Sequence, residues 1–213
     1  VPAEDEAALE DMRRDSVWTE YAAASRFFVN EGGVYDTLRR LARAFDEERL
    51  DYAVIGGMAV VAHGYRRLTE DVDVLVTPET LERFRQRLVG RGYRPAFPKA
   101  RKTFRDTVTG VKVEFVAAGE FPGDGKPKPV AFPDPSGVRE NREGLWLITL
   151  DRLIELKLAS GLSAPHRLRD LADVQELIAR RGLPLALGDV LEPSVREEYR
   201  RLWHAARTAR PEE

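Results

Sequence analysis

Apolar residues at Val34, Leu38, Leu41 and Phe45 fall at helical spacing and predict an amphipathic helix that ends before Asp51. Tyr52-Ala53-Val54-Ile55 is short and continuously apolar, a buried strand that runs into Gly56-Gly57. A second helix is predicted over Met58 to His63, closed by Gly64. From Asp71 to Val76 acidic and apolar positions alternate before the run turns fully apolar, the pattern of a strand with one polar-facing end. Thr77-Pro78 then supplies an N-cap and a first-turn proline for a helix that carries Leu81, Phe84 and Leu88 on one face. Arg101 to Thr107 and Val111 to Ala117 read as two strands joined at Thr109-Gly110. Gly119 to Gly144 is rich in Pro and Gly and is expected to be loop or lid, with Leu145 to Ile148 as the last strand. Helices are expected at Thr149 to Ser160, Leu168 to Arg181 and Ser194 to Arg207, the last with Ser194 and Glu197 in capping-box spacing.

This order predicts an α+β protein: a small mixed sheet in a core over residues 34–148, a polar helical segment over 1–33, and a helical C-terminal portion over 149–213. Composition agrees with a folded unit, since 213 residues with 43% apolar and 33% charged side chains can both bury a core and stay hydrated. Thirty-four basic and 36 acidic residues leave a net charge of −2, so the chain is no indiscriminate polycation. The absence of cysteine excludes a disulfide scaffold, thiolate metal sites and a Cys nucleophile, and the reducing cytoplasm is the default expectation. No apolar run approaches the roughly 20 residues that span a bilayer, so no membrane partner is expected. Val1 to Glu10 is acidic and lacks the apolar stretch of a secretory leader.

Chemistry concentrates after Ile55. Strand alternation puts Asp71 and Asp73 on one side and Val72, Val74 and Val76 on the other. Two carboxylates that close repel, and a divalent cation between them relieves the repulsion; oxygen-only ligands favour Mg²⁺ over Zn²⁺. Gly56-Gly57, at a strand-to-helix turn, opens backbone N–H groups to an anion with no side chain in the way. On the later strand Glu114 faces the same way as Lys112, opposite to Val113 and Phe115, and is the candidate third carboxylate beside the Asp pair.

At these residues the sequence resembles the polymerase-β-like nucleotidyltransferase superfamily: a Gly-Gly turn, an acidic-x-acidic strand, then a later acidic strand residue. Gly57-Met58-Ala59, Gly64, Arg67, Thr69, Asp71 and Asp73 are similar to the minimal nucleotidyltransferases. Lys157 with Arg169-Asp170-Leu171-Ala172-Asp173 is similar to the AbiEii-type toxin branch. The resemblance covers about residues 52–177. It implies two Mg²⁺ ions held by Asp71, Asp73 and Glu114, and an NTP whose triphosphate meets Gly56, Gly57, Arg67, Thr69 and Lys157, with Asp170 also in the catalytic set. It implies transfer of an NMP to an acceptor hydroxyl, with tRNA or another RNA as acceptor and a cognate antitoxin as partner, though a protein hydroxyl or an aminoglycoside-like small molecule is chemically compatible as acceptor. Two positions depart from the pattern: Gly57 stands where many members have Ser, and Glu114 where Asp is commoner.

Plainer readings compete. Lys157 shares a helix side with Leu153 and Ile154, where its stem can lie along apolar surface. Asp170 and Asp173 sit early in a helix, where the macrodipole favours acids. His63, His166 and His204 have no metal-ligand spacing and read as surface or partly buried, and Trp18, Trp146 and Trp203 as packing residues. Between Arg83 and Lys112 ten basic residues face one acid, Asp106, in a chain where Arg supplies 28 of the 34 basic residues. That strip, placed between the Asp pair and Glu114, suits a polyanionic acceptor. The alternative to a transferase is a non-catalytic nucleotide-binding or antitoxin-like module on the same fold, and a third reading is a metal-dependent phosphohydrolase.

Overall fold

The computed structural model describes residues 32–208. The N-terminal helices expected over 1–33 and Trp18 fall almost wholly outside them. Helix α1 (Gly32–Glu47) is followed by β1 (Ala53–Ile55), α2 (Gly56–Ala62), β2 (Asp71–Val76), α3 (Pro78–Leu88), β3 (Tyr93–Pro95), β4 (Thr103–Asp106) and β5 (Lys112–Ala117). The chain continues through β6 (Arg139–Arg142), β7 (Leu145–Ile148), α4 (Leu150–Ser163), α5 (Leu168–Arg181), α6 (Leu187–Val190) and α7 (Pro193–Thr208). The seven strands form one mixed sheet in the order β3-β4-β5-β2-β1-β7-β6, so the architecture is α+β as expected.

Alternation along the strands sends apolar side chains to both faces, and helices cover each. On one face α1 and α3 pack Leu38, Leu41, Phe45, Leu81 and Phe84 against Val54, Val72, Val74, Val113 and Phe115. Phe84 is the hub there, with its ring 4.5 Å from that of Phe115 and 5.1 Å from that of Phe104. On the other face α4, α5 and α7 cover Ala53, Ile55, Leu75 and Ile148 with Leu153, Ile154, Leu158, Val174, Leu177 and Tyr199. That second core takes in no residue of β3 or β4. Among the described residues no helix is long and apolar enough to cross a membrane.

Several elements differ from the pattern-based expectation. Gly32 and Gly33 open α1 instead of closing a preceding segment. The Gly119 to Gly144 stretch is not loop throughout: it contains β6, joined to β7 by Glu143 and Gly144, whose φ values of 54° and 83° make the reversal that an antiparallel pair needs. The capping box at Ser194 does not form. Because Pro193 takes the first helical position, the Glu192 carboxylate accepts from the Ser194 amide at 2.7 Å and caps α7 instead. His63 is fully buried, beyond the surface or partial burial expected of it. Its Nε2 lies 2.8 Å from the Ile148 carbonyl, and Arg142 lies 3.3 Å from Nδ1. A carbonyl only accepts and a guanidinium only donates, so the ring is neutral with its proton on Nε2. Burial, the largest influence, together with the charges of Arg142 and Arg181, pushes it down to about 4.

Candidate active site

Register builds the centre of the site. β1 runs antiparallel to β2 and pairs Ile55 with Asp73, while β2 runs parallel to β5 and pairs Asp73 with Glu114 and Asp71 with Lys112. Paired residues face the same side, so Asp71, Asp73, Lys112 and Glu114 share the sheet face that the C-terminal helices only partly cover. A cavity of about 470 Å³ opens there. Gly56, Gly57, Asp73, Glu114, Lys157, Asp170 and Arg67 all line it, so one space gathers residues drawn from more than 100 positions of sequence.

The two glycines are sterically required, each for its own reason. Gly56 has φ +62°, and a Cβ there would fall onto the Asp73 carboxylate. At Gly57 a Cβ would meet Thr69 Oγ1 at 2.5 Å and Arg67 Nη2 at 3.1 Å. Helix α2 therefore begins against Asp73 with no side chain between, and no side chain caps its first turn.

Asp73 is pushed up to about 6, first by burial and then by the charges of Glu114 and Asp71; Lys157 and Lys112 pull the other way. Its neighbours do not supply enough positive charge to keep it an ordinary carboxylate. Lys112 stands between the other two acids, its Nζ 2.8 Å from Asp71 and 3.0 Å from Glu114. Burial works against the lysine's charge, but those two partners hold it above the ordinary lysine range.

Behind the cavity lies a buried ion network. Lys157 Nζ is 2.8 Å from Asp170 and 2.7 Å from Asp173, and Asp173 also meets Arg67 Nε at 2.9 Å. The Ser160 hydroxyl donates to Asp170 at 2.7 Å. Burial tends to raise Asp170, but the Lys157 charge and the hydrogen bonds from Lys157 and Ser160 hold it below the usual carboxylate range. Helix α5 comes this close to α4 because Gly161 leaves room for Leu171, which a Cβ would meet at 2.5 Å. Lys157 is thus neither a surface lysine nor a snorkelling one: paired acids hold its ammonium at the cavity wall.

The structure brings together most of the expected set, but Asp71 and Thr69 do not line the cavity. Asp71 sits beside it with Lys112, and the Thr69 hydroxyl donates to the Asp71 carbonyl at 3.3 Å. The basic strip does not act as one surface. Arg83, Arg85 and Arg87 lie on α3, which packs on the opposite face of the sheet, whereas Arg94, Arg105 and Lys112 share the face of the acids. Lys102, a member of the basic strip, and Arg167 also line the cavity; sequence reasoning misses Arg167, which has no neighbour in the chain that marks it. The segment Glu120–Gly123 forms another wall, anchored where Asp124 N donates to Ser163 Oγ at 3.1 Å and Arg167 donates to the Gly123 carbonyl at 3.3 Å.

Among the described residues no three of His, Asp and Glu converge into a ready-made metal cage. The donor set nevertheless suits a hard cation: the acids offer only oxygen, Asp73 lacks compensating charge, and the chain's own ammonium already sits between Asp71 and Glu114.

No family model and no curated protein matches the chain. Among solved structures it is similar to the crystal structure of an antigenic nucleotidyltransferase-like protein from Paracoccidioides brasiliensis, with 17% identity over 67% of this chain and 74% of that one and a TM-score of 0.44.

Proposed function

We propose that the protein is a Mg²⁺-dependent nucleotidyltransferase that moves an NMP from an NTP to an acceptor hydroxyl and releases pyrophosphate. The observation that carries this reading is the register pairing of Asp73 with Glu114 across β2 and β5, in a cavity whose wall is the Gly56-Gly57 turn. When bound at Asp71, Asp73 and Glu114, Mg²⁺ supplies Lewis-acid activation of the attacking oxygen and charge neutralisation of the leaving group. The chain's residues do the rest. The amides of Gly56 and Gly57 approach the phosphates, and Lys157 and Arg67, fixed by Asp170 and Asp173, face the negative charge that develops as the Pα–O–Pβ bond breaks. Glu114, the more exposed acid of the pair, orients the acceptor hydroxyl and takes its proton as the new O–Pα bond forms. Lys112 neutralises Asp71 and Glu114 in the metal-free protein, and a divalent cation held by these acids would compete with its ammonium for them. An RNA end such as that of tRNA as acceptor, and an antitoxin as partner, belong to this reading as what the sequence resemblance implies.

Incubation with labelled NTP, Mg²⁺ and total RNA or lysate tests it. Label moves to an acceptor with release of pyrophosphate, and Asp71→Asn or Asp73→Asn lowers transfer about a hundredfold or more while the circular-dichroism spectrum is unchanged. Undiminished transfer by the double Asn variant would sink the mechanism; inorganic phosphate as product makes the protein a phosphohydrolase, and binding without transfer makes it a nucleotide-binding module.

A further inference from the structure

The face that carries the acids continues past them onto a wing of the sheet that the C-terminal helices leave bare. β5 pairs with β4, and β4 with β3, so that Lys112 lies opposite Arg105 and Arg105 opposite Arg94. With Asp71 opposite Lys112, one register row reads Asp71, Lys112, Arg105, Arg94 across four neighbouring strands. Neighbouring strands are about 4.8 Å apart, so the three cations form a ladder roughly 10 Å long from the carboxylates to the sheet edge. Like charges opposite one another destabilise a sheet pairing; Asp71 and Glu114 balance Lys112, but no acid of the row stands opposite Arg105 or Arg94. Asp106, next to Arg105 in the chain, points to the other face, where it is fully buried and held by Arg40 at 2.9 Å. The next row inward, Thr103, Glu114, Asp73 and Ile55, leads straight into the cavity.

We infer that this row binds the phosphodiester chain of the acceptor, a single-stranded nucleic-acid end whose terminal hydroxyl reaches Glu114 and whose upstream phosphates lie over Arg105 and Arg94. The inference rests on the transferase reading for what happens at the terminus, but the binding surface stands on the row itself. Two further features favour a nucleic acid over an acidic protein segment. The cations are mainly Arg, whose planar fork matches phosphate oxygens. The same wing also carries Phe97, 57% exposed in the connection between β3 and β4 and close in sequence to the exposed Lys99 and Arg101, a ring available for base stacking.

The test uses the chain carrying Asp73→Asn, without NTP so that no transfer occurs, and a fluorescein-labelled single-stranded RNA of about 12 nucleotides with a free 3′ hydroxyl. Anisotropy titrations across a salt series give affinity and its salt slope. Adding Arg94→Gln and Arg105→Gln weakens binding about tenfold and flattens the slope of log K against log salt by about 1.4, at roughly 0.7 for each phosphate of a single strand that is no longer neutralised. Arg94→Gln alone gives about half that slope change, which keeps the test valid if removing the bond from Arg105 to the Gly110 carbonyl loosens the β4–β5 turn. Arg85→Gln with Arg87→Gln, on the far face, leaves both quantities unchanged. Equal binding by the Arg94/Arg105 variant, or equal weakening by the α3 variant, overturns the row as a track. In the active chain, label that goes to a protein and is indifferent to Arg94 and Arg105 also overturns it while leaving the transferase intact. A chain that transfers nothing yet binds RNA through these two arginines upholds the track and fails the transferase.

Discussion

At Gly56 and Gly57 the absence of a side chain serves different ends at adjacent positions, and substitutions separate the two. Gly56 needs both its positive φ and the space occupied by the Asp73 carboxylate, so no neighbouring substitution can rescue Gly56→Ala without removing that carboxylate. Gly57 has no such backbone demand, and what excludes a Cβ there is Thr69, with Arg67 behind it. Gly57→Ala is therefore expected to cost about 1–3 kcal/mol through overpacking and to shift Arg67 away from Asp173. Gly57→Ala combined with Thr69→Gly recovers most of that loss, because it removes the atoms that would lie 2.5 and 2.9 Å from the new methyl. Urea unfolding of the two single variants and the double variant measures the coupling, and strictly additive effects would refute the steric account. The Thr69 hydroxyl already fills the volume that any side chain at position 57 would enter.

Among the elements, the contact between α4 and α5 decides whether Lys157 faces the cavity, and one residue controls that contact. Gly161→Ala gains up to about 1 kcal/mol of helix propensity but drives a methyl against Leu171 Cγ and Cδ2, both at 2.5 Å. The overpacking outweighs the gain, so the variant loses about 1–2 kcal/mol and α5 moves outward, carrying Asp170 from Lys157 and Ser160. Its melting temperature should fall; a rise would mean that Leu171 yields freely and that the helices are not held at this separation by the glycine. The two helices themselves are legible in the sequence, since period-3.6 apolar residues mark both, and so are the β2 and β5 strands with their charged and apolar positions alternating. The pairing of Lys157 with Asp170 and Asp173 is not, because it depends on Gly161, which lies just past the helix end expected at Ser160 but inside the observed helix, which runs on to Ser163. Nor is β6, whose Arg139-Glu140-Asn141-Arg142 has no apolar alternation; β7 and the cation–π contact of Arg139 on Trp146, 4.3 Å from the ring centre, hold it in the sheet. Alternation alone assigns Lys112 to the correct face of its strand, but its position between Asp71 and Glu114 follows from parallel pairing, which a single strand's pattern does not specify.

Over the molecule as a whole, two buried groups on different elements give stability opposite pH dependences in one window. Asp73 ionises at about 6 in the folded chain against 3.8 when unfolded, so between these values the folded state holds more protons and stability falls as pH rises. His63 ionises at about 4 folded against 6.5 unfolded, so over that range the unfolded state holds more protons and stability rises with pH. Each is worth on the order of 3 kcal/mol across its window, so in metal-free buffer they largely cancel between pH 4 and 6. Asp170, held below its ordinary range by Lys157 and Ser160, adds stability that is lost only toward still lower pH. Asp73→Asn removes one of the opposing slopes. Relative to the parent chain in EDTA, the variant should gain stability progressively from pH 4 to 6, reach about 3 kcal/mol, and stay level above that, while its own profile shows the rise that His63 produces. His63→Gln should do the reverse, losing the rise and exposing a decline between pH 4 and 6, whatever its absolute stability. Urea unfolding at half-unit pH intervals reads both differences. If Asp73→Asn runs parallel to the parent at every pH, the carboxylate is not short of positive charge in the metal-free protein, and the electrostatic case for a cation at β2 and β5 goes with it.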